Sequence, residues 1–126
     1  MTVKRVLIID DEDDIREVAQ TSLEIMGGWN VSTAASGSEG ITMAEAEQPD
    51  AILLDVMLPD MDGPATFQKL QANPATAQIP VILLTAKAQA SDQRYFADLG
   101  VMAVLSKPFN SVTLADQVAA VLGWNL

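Results

Sequence analysis

Histidine and cysteine are both absent from this chain of 126 residues. Without histidine there is no Ser-His-Asp or Cys-His catalytic arrangement and no imidazole ligand for a metal. Without cysteine there is no disulfide framework and no zinc–thiolate site. Basic residues are scarce too: 7 Lys and Arg stand against 17 Asp and Glu, a formal charge of −10. Such a chain is repelled by nucleic-acid phosphates and anionic lipid heads, and no basic stripe overrides the repulsion. Neither nucleic acid nor membrane is expected as a partner. No apolar run approaches the ~20 residues of a membrane helix. The start, Met1-Thr2-Val3-Lys4-Arg5, leads straight into a short strand-like run rather than a secretory signal. A cytoplasmic location is the expectation, and the length suits a single domain over 1–126.

What is present is a repeating pattern. Short apolar runs occupy residues 6–9, 51–54, 81–84 and 101–105. Their continuous apolarity, without alternation, points to strands covered on both faces, as in a parallel sheet. Residues 30–34 alternate more and read as an edge strand. Helical stretches lie between. Ile15, Val18, Ala19, Leu23 and Met26 fall on one helical face, closed by Gly27-Gly28. Ser36 and Glu39 make a capping box for a second helix that stops before Pro49. Pro64 fits the first position of a third, with Phe67 and Leu70, ending near Asn73-Pro74. Ser91 or Asp92 opens a fourth, with Tyr95, Phe96 and Leu99, closed by Gly100. Ser111 caps a fifth, with Leu114, Val118, Val121 and Leu122, closed by Gly123. Five strand–helix repeats give an α/β doubly wound sandwich. Its expected core is a five-stranded parallel sheet in the flavodoxin-like order 2-1-3-4-5, with helices on both faces.

In such sheets ligands bind beyond the carboxyl ends of the strands, where the strand order reverses. Asp10-Asp11 follow the first run, Asp55 the third, Thr85 the fourth, and Lys107-Pro108 come shortly after the fifth. Three carboxylates, a hydroxyl and an ammonium would converge there. The carboxylates repel one another, and a hard cation relieves this. Oxygen-only ligands favour magnesium or calcium over zinc, and room for a phosphoryl group favours Mg2+. A carboxylate so placed can attack phosphorus and form an aspartyl-phosphate. Such transfer needs in-line positioning and neutralisation of the equatorial oxygens, to which Lys107 and Thr85 would contribute. Asp55, on the central strand, is the candidate nucleophile.

Blander readings apply to the neighbours. Asp13 and Asp14 suit the first turn of a helix. Asp60 and Asp62-Gly63 suit a turn. Trp124 and the methionines read as core or rim filler; Tyr95 and Phe96 read as core for the fourth helix, or Tyr95 as part of a partner-binding face. An EF-hand is excluded because Ile15 stands where glycine is needed and Thr21 where a bidentate glutamate belongs. A flavin phosphate would be repelled by the acids after the first run.

Taken together, Asp10-Asp11, the stretch Asp55-Val56-Met57-Leu58-Pro59-Asp60-Met61-Asp62-Gly63, Thr85-Ala86 and Lys107-Pro108-Phe109 resemble the response-regulator receiver domains of two-component signalling. The resemblance covers essentially the whole chain. It implies that Asp55 is phosphorylated by a histidine kinase or histidine phosphotransfer protein. It implies that Asp10, Asp11, Asp55 and the backbone carbonyl of Met57 hold Mg2+, that Lys107 and Thr85 contact the phosphoryl group, and that the Lys107–Pro108 peptide is cis. The implied activity is that of a phosphoacceptor switch, not a true enzyme, with self-catalysed transfer and slow autodephosphorylation. Thr85 would be drawn to the phosphate and shift the loop behind it. A downstream protein would dock on the face of the fourth helix, fifth strand and fifth helix. With no room for a DNA-binding domain after Leu122, a stand-alone regulator of the chemotaxis type or a phosphate shuttle is expected; oligomeric state, kinase and target stay open. An aspartyl-phosphate phosphatase would instead carry D-x-D after its first strand and a cap domain, whereas the sequence here reads Asp10-Asp11-Glu12. A phosphorylation-independent module would lack an acidic or lysine position.

One departure concerns the place three residues before the lysine, where many family members have an aromatic residue and this chain has Val104. Met57 and Lys87 occupy the places that tune phosphate lifetime in the family. Bulky Met57 and cationic Lys87 should hinder attacking water. The double variant Met57→Asn, Lys87→Glu is therefore expected to lose its phosphoryl group several-fold faster than the parent. Decay after phosphorylation with phosphoramidate measures this, and an unchanged half-life counts against it.

Overall fold

Strands and helices alternate along the chain: β1 (Arg5–Ile9), α1 (Asp13–Gly27), β2 (Asn30–Ala34), α2 (Gly37–Glu47), β3 (Ala51–Asp55), α3 (Gly63–Ala72), β4 (Val81–Thr85), α4 (Ala90–Leu99), β5 (Ala103–Ser106) and α5 (Leu114–Leu122). The computed structural model describes residues 3–86, 90–107 and 109–124. The strands form one parallel sheet in the order β2-β1-β3-β4-β5, as the repeat pattern implies. No helix among the described residues is long and apolar enough to cross a membrane.

Every residue of β3 and β4 is buried, and every residue of β1 after Arg5. Alternate side chains serve opposite faces. Val6, Ile8, Leu53, Ile82 and Leu84 pack with Ala19 and Leu23 of α1 and with Leu114 and Val118 of α5. Leu7, Ile9, Ile52, Leu54 and Leu83 pack with Ala44 of α2, Phe67 and Leu70 of α3 and Phe96 of α4. Two covered faces explain why these strands read as unbroken apolar runs. Each fully buried Leu or Ile contributes ~1.5–3 kcal/mol.

Three element boundaries and one helix face depart from the sequence reading. β5 begins at Ala103, two residues into its apolar run; Met102 stays half-exposed, and its amide reaches Val81 O at 2.8 Å to start the pairing. α4 opens at Ala90, ahead of Ser91. α5 opens at Leu114, with Thr113 and not Ser111 in the cap position. Asn110 claims the residues in between, its Oδ1 accepting from Val112 N at 2.8 Å and its carbonyl from Thr113 N at 3.1 Å. The Ser111 carbonyl instead accepts from Ser22 Oγ of α1. On α1 the buried stripe is Ala19, Ser22 and Leu23, so Val18 and Met26, read as inward, fall at its solvent edge with 45% and 50% exposure.

The ambiguous aromatics separate cleanly: Phe96 is buried and Tyr95 is exposed. Trp124 meets Trp29 edge-to-face at 5.0 Å, under the Lys4 ammonium. Helix α2 rests directly on β1 at Gly40, where an added Cβ would lie 2.3 Å from Ile9 Cδ1. Gly40→Ala is expected to destabilise by ~1–2 kcal/mol, because overpacking costs more than the helix propensity gained. Urea denaturation tests this; unchanged stability would mean that Ile9 repacks freely.

Candidate functional site

The carboxyl ends of four strands converge. Asp10 directly follows β1, Asp55 ends β3, Thr85 ends β4 and Lys107 directly follows β5. Backbone pairing carries the sheet order into these positions: Asp10 N donates to Ala34 O at 3.0 Å, Val56 N to Leu84 O at 3.0 Å and Lys107 N to Thr85 O at 2.8 Å. Asp10, Asp55 and Thr85 are buried polar residues in an otherwise apolar layer.

Lys107 Nζ lies 2.6 Å from Asp10 Oδ2, 3.2 Å from Asp55 Oδ1 and 3.6 Å from Glu12 Oε1. Asp10 Oδ1 accepts from Glu12 N at 2.9 Å, and Asp55 Oδ1 from Met57 N at 3.4 Å. Asp55 Oδ2 is buried without a hydrogen-bond partner among the described residues. Burial, and then the Asp10 charge, push the Asp55 carboxyl above its usual range; Lys107 and the Met57 amide offset this only in part. Burial works against the Lys107 charge, but Asp10 and Asp55 outweigh it and hold the ammonium above its ordinary value.

Asp10, Asp11, Glu12 and Asp55 each bring a carboxylate oxygen within 4.8 Å of the others. Three of these acids thus lie within 4 Å of one ammonium, and Asp55 Oδ2 has no hydrogen-bond donor among the described residues. An all-oxygen set of this kind can hold a hard metal ion and offers nothing to a thiophilic one. Asp10, Asp11 and Asp55 are marked out in the sequence by the strand ends they follow, whereas Glu12 comes after two acids and looks like one more helix-start residue.

Close approach shapes the loop after β3. A Cβ on Gly63 would lie 2.7 Å from Asp55 O, and Gly63 N donates to Val56 O at 2.7 Å, so the loop folds back over the strand end. Asp62 caps α3 through Ala65 N at 2.8 Å. Asp60, read as a turn former, instead reaches α2, where it accepts from Gly37 N, Ser38 N and Ser38 Oγ. Those donors hold its carboxyl well below the usual range. Its partners lie 22 and 23 residues upstream, so no local signal announced the contact.

Thr85 lines a cavity of about 440 Å3 with Val56, Met57, Ala86, Tyr95 and Phe96, and the Met57 side chain stands exposed at its rim. Val104 is half-buried against the α3–α4 side of the core. Lys87, and Pro108 with the cis peptide expected there, lie outside the described residues.

The model of the response regulator receiver domain matches residues 6–119. The chain is 41% identical over 118 residues to the DNA-binding dual master transcriptional regulator RpaA of Synechocystis sp., covering 94% of this chain and 48% of that protein. It is 37% identical over 119 residues to the alkaline phosphatase synthesis transcriptional regulatory protein PhoP of Bacillus subtilis, again covering 94% and 48%. The chain spans about half the length of these curated relatives. The chemotaxis response regulator CheY4 of Vibrio cholerae superposes with a TM-score of 0.89 at 29% identity, covering 95% of this chain and 99% of that one. A CheY-like receiver domain protein of Methanospirillum hungatei gives 0.85 at 29% identity, covering 97% and 95%. The name of RpaA describes a DNA-binding protein, which stands against the expectation that nucleic acid is no partner; that property is named for the longer protein.

Ionised Asp55 costs the fold stability, since its folded pKa lies above the unfolded value of ~3.9. Stability is therefore lost as pH rises through that interval, where the native state binds the extra proton. In chelator, Asp55→Asn is expected to gain roughly 1 kcal/mol at pH 7, the scale of relieving an unfavourable functional site. The gain should vanish below about pH 4. Urea titrations at both pH values measure it, and a variant less stable than the parent at pH 7 would overturn the charge argument.

Proposed function

The chain belongs to the response regulator receiver domain family, and on that premise we propose that Asp55 accepts a phosphoryl group from a histidine kinase or histidine phosphotransfer protein. The observation that carries this reading is a buried carboxylate at the rim of the sheet, with one oxygen lacking a hydrogen-bond partner among the described residues and the other 3.2 Å from the Lys107 ammonium. In the transfer, a carboxylate oxygen of Asp55 forms a bond to phosphorus while the bond from phosphorus to the donor imidazole nitrogen breaks. Lys107 stays charged throughout, because Asp10 and Asp55 support its ammonium, and it neutralises an oxygen of the incoming group. Thr85, at the adjacent strand end, supplies a hydroxyl to a second oxygen.

The orphaned Asp55 oxygen and the all-carboxylate donor set fit Mg2+, which Asp10, Asp11, Asp55 and the Met57 carbonyl would hold. Once bound, the ion supplies positive charge against the clustered acids and the phosphoryl oxygens. Glu12 stays with Lys107 at 3.6 Å and keeps that end of the site negative.

The product is a charge state of the protein, not a released compound, so the activity is a switch with self-catalysed transfer and slow loss of phosphate. Residues 1–126 act as one receiver unit, in the cytoplasm where phosphoryl donors made from ATP are at hand. The output face is that of α4, β5 and α5, where Tyr95 and Met102 are each 54% exposed. Exposed apolar side chains of this size suit a protein partner.

Incubation with Mg2+ and acetyl phosphate, followed by intact-mass measurement, is expected to add the mass of one phosphoryl group to the parent chain and none to Asp55→Asn. An adduct that survives in Asp55→Asn, or a parent chain that takes up none, would sink the reading.

A further inference from the structure

Between the end of β3 and the cap of α3, residues 56–62 form the loop that carries Met57. Its ends are fixed: Val56 N binds Leu84 O at 3.0 Å, Gly63 N binds Val56 O at 2.7 Å, and Asp62 caps Ala65 N at 2.8 Å. Among the described residues, positions 57–61 make no backbone–backbone hydrogen bond. The middle of this segment is tied down by Asp60. Its Oδ1 accepts from Gly37 N at 2.9 Å, and its Oδ2 from Ser38 N at 2.9 Å and Ser38 Oγ at 2.7 Å. These donors are the first amides of α2, which favour a negative charge. Helix α2 already has a cap of its own, since Ser36 Oγ accepts from Glu39 N at 3.2 Å. The approach is close by construction: a Cβ on Gly37 would lie 2.7 Å from Thr66 Oγ1 and 2.8 Å from Met61 Cγ.

We infer that Asp60 is a positioning residue for the phosphoacceptor site, a clamp that fixes the Met57 segment against the start of α2 and so holds the Met57 carbonyl ready for the cation. The inference rests on the receiver reading above, which gives that carbonyl its role. Without the clamp, residues 57–61 would keep only the 3.4 Å contact from Met57 N to Asp55 Oδ1 and the packing of Leu58 against the core, neither of which fixes the Met57 carbonyl. Each metal-free molecule would then have to order the segment on binding, which weakens affinity.

The test compares Asp60→Ala with Ser36→Ala. Both remove a cap from the same helix end, but only the first touches the loop. Mg2+ titration by calorimetry is expected to give Asp60→Ala a dissociation constant ~10-fold above the parent, the low end of what losing support behind a metal ligand costs. In chelator, amide hydrogen exchange at residues 57–61 should quicken in Asp60→Ala and not in Ser36→Ala. Ser36→Ala should lower the Tm and leave Mg2+ affinity unchanged. Asp60→Asn, which keeps one acceptor oxygen but loses the charge, should fall between parent and Asp60→Ala. An Asp60→Ala chain with parental affinity and parental exchange overturns the clamp alone. So does a Ser36→Ala chain that loses as much affinity, since loss of α2 stability would then suffice. A parent chain that binds no Mg2+ overturns both the clamp and the receiver reading.

Discussion

The rest of the site follows from one shortage of charge: Lys107 is a single ammonium among the acids Asp10, Glu12 and Asp55, and it cannot satisfy them all. It sits nearest Asp10, and leaves Asp55 with one oxygen that no donor reaches among the described residues. Burying carboxylates in this way is costly, and a fold selected for stability alone would place apolar side chains here. The arrangement makes sense when the missing positive charge comes from outside, and when Asp55 gains a group whose oxygens Lys107 can share. Frustration in the resting state is then what gives the added charge something to change.

The sheet makes that frustration affordable. Fully buried Leu and Ile on both faces of β1, β3 and β4 supply the stability that the polar rim subtracts. The same parallel pairing sets the geometry, because the register aligns Ile9 with Leu54 and Asp55 with Leu84. The next residue on β1 must therefore come up beside Asp55, and Lys107 beside the residue that follows Thr85. Close-approach glycines finish the fit. Gly40 lets α2 lie on β1, Gly37 lets its start meet the loop, and Gly63 lets that loop cross the Asp55 backbone.

Contacts whose cause is periodic or local were legible in the sequence. The five repeats, the strand order and the positions of Asp10, Asp55, Thr85 and Lys107 at strand ends all follow from apolar runs and what comes after them. Contacts between distant segments were not. Nothing near Asp60 says that its partners are Gly37 and Ser38, because a carboxylate in an Asp-rich turn already has an adequate local explanation. Glu12 was hidden for the same reason. Val18 and Met26 were misplaced because a helical wheel gives the direction of the buried stripe but not its width. The stripe here is narrow: α1 buries Ala19, Ser22 and Leu23 and leaves its flanks to solvent. Ser111 failed as a cap because Asn110, one residue earlier, organises the turn with its own side chain.

The same bonds that build the site also limit how it can respond. The Leu84 and Thr85 carbonyls are engaged by Val56 N and Lys107 N, so the backbone at the end of β4 is fixed from both sides. On the proposed reading, a phosphoryl group on Asp55 can therefore draw on the Thr85 side chain, but not on the strand itself. The cavity beside Thr85 provides the space, and it ends at Tyr95 on the surface of α4. Val104 stands where many family members have an aromatic residue, so β5 offers no bulky ring at this place. On the proposed reading, the path from the buried carboxylate to the surface would run by that cavity to exposed Tyr95. A receiver wired in this way would couple phosphorylation chiefly to partners that touch the start of the output face rather than its whole width.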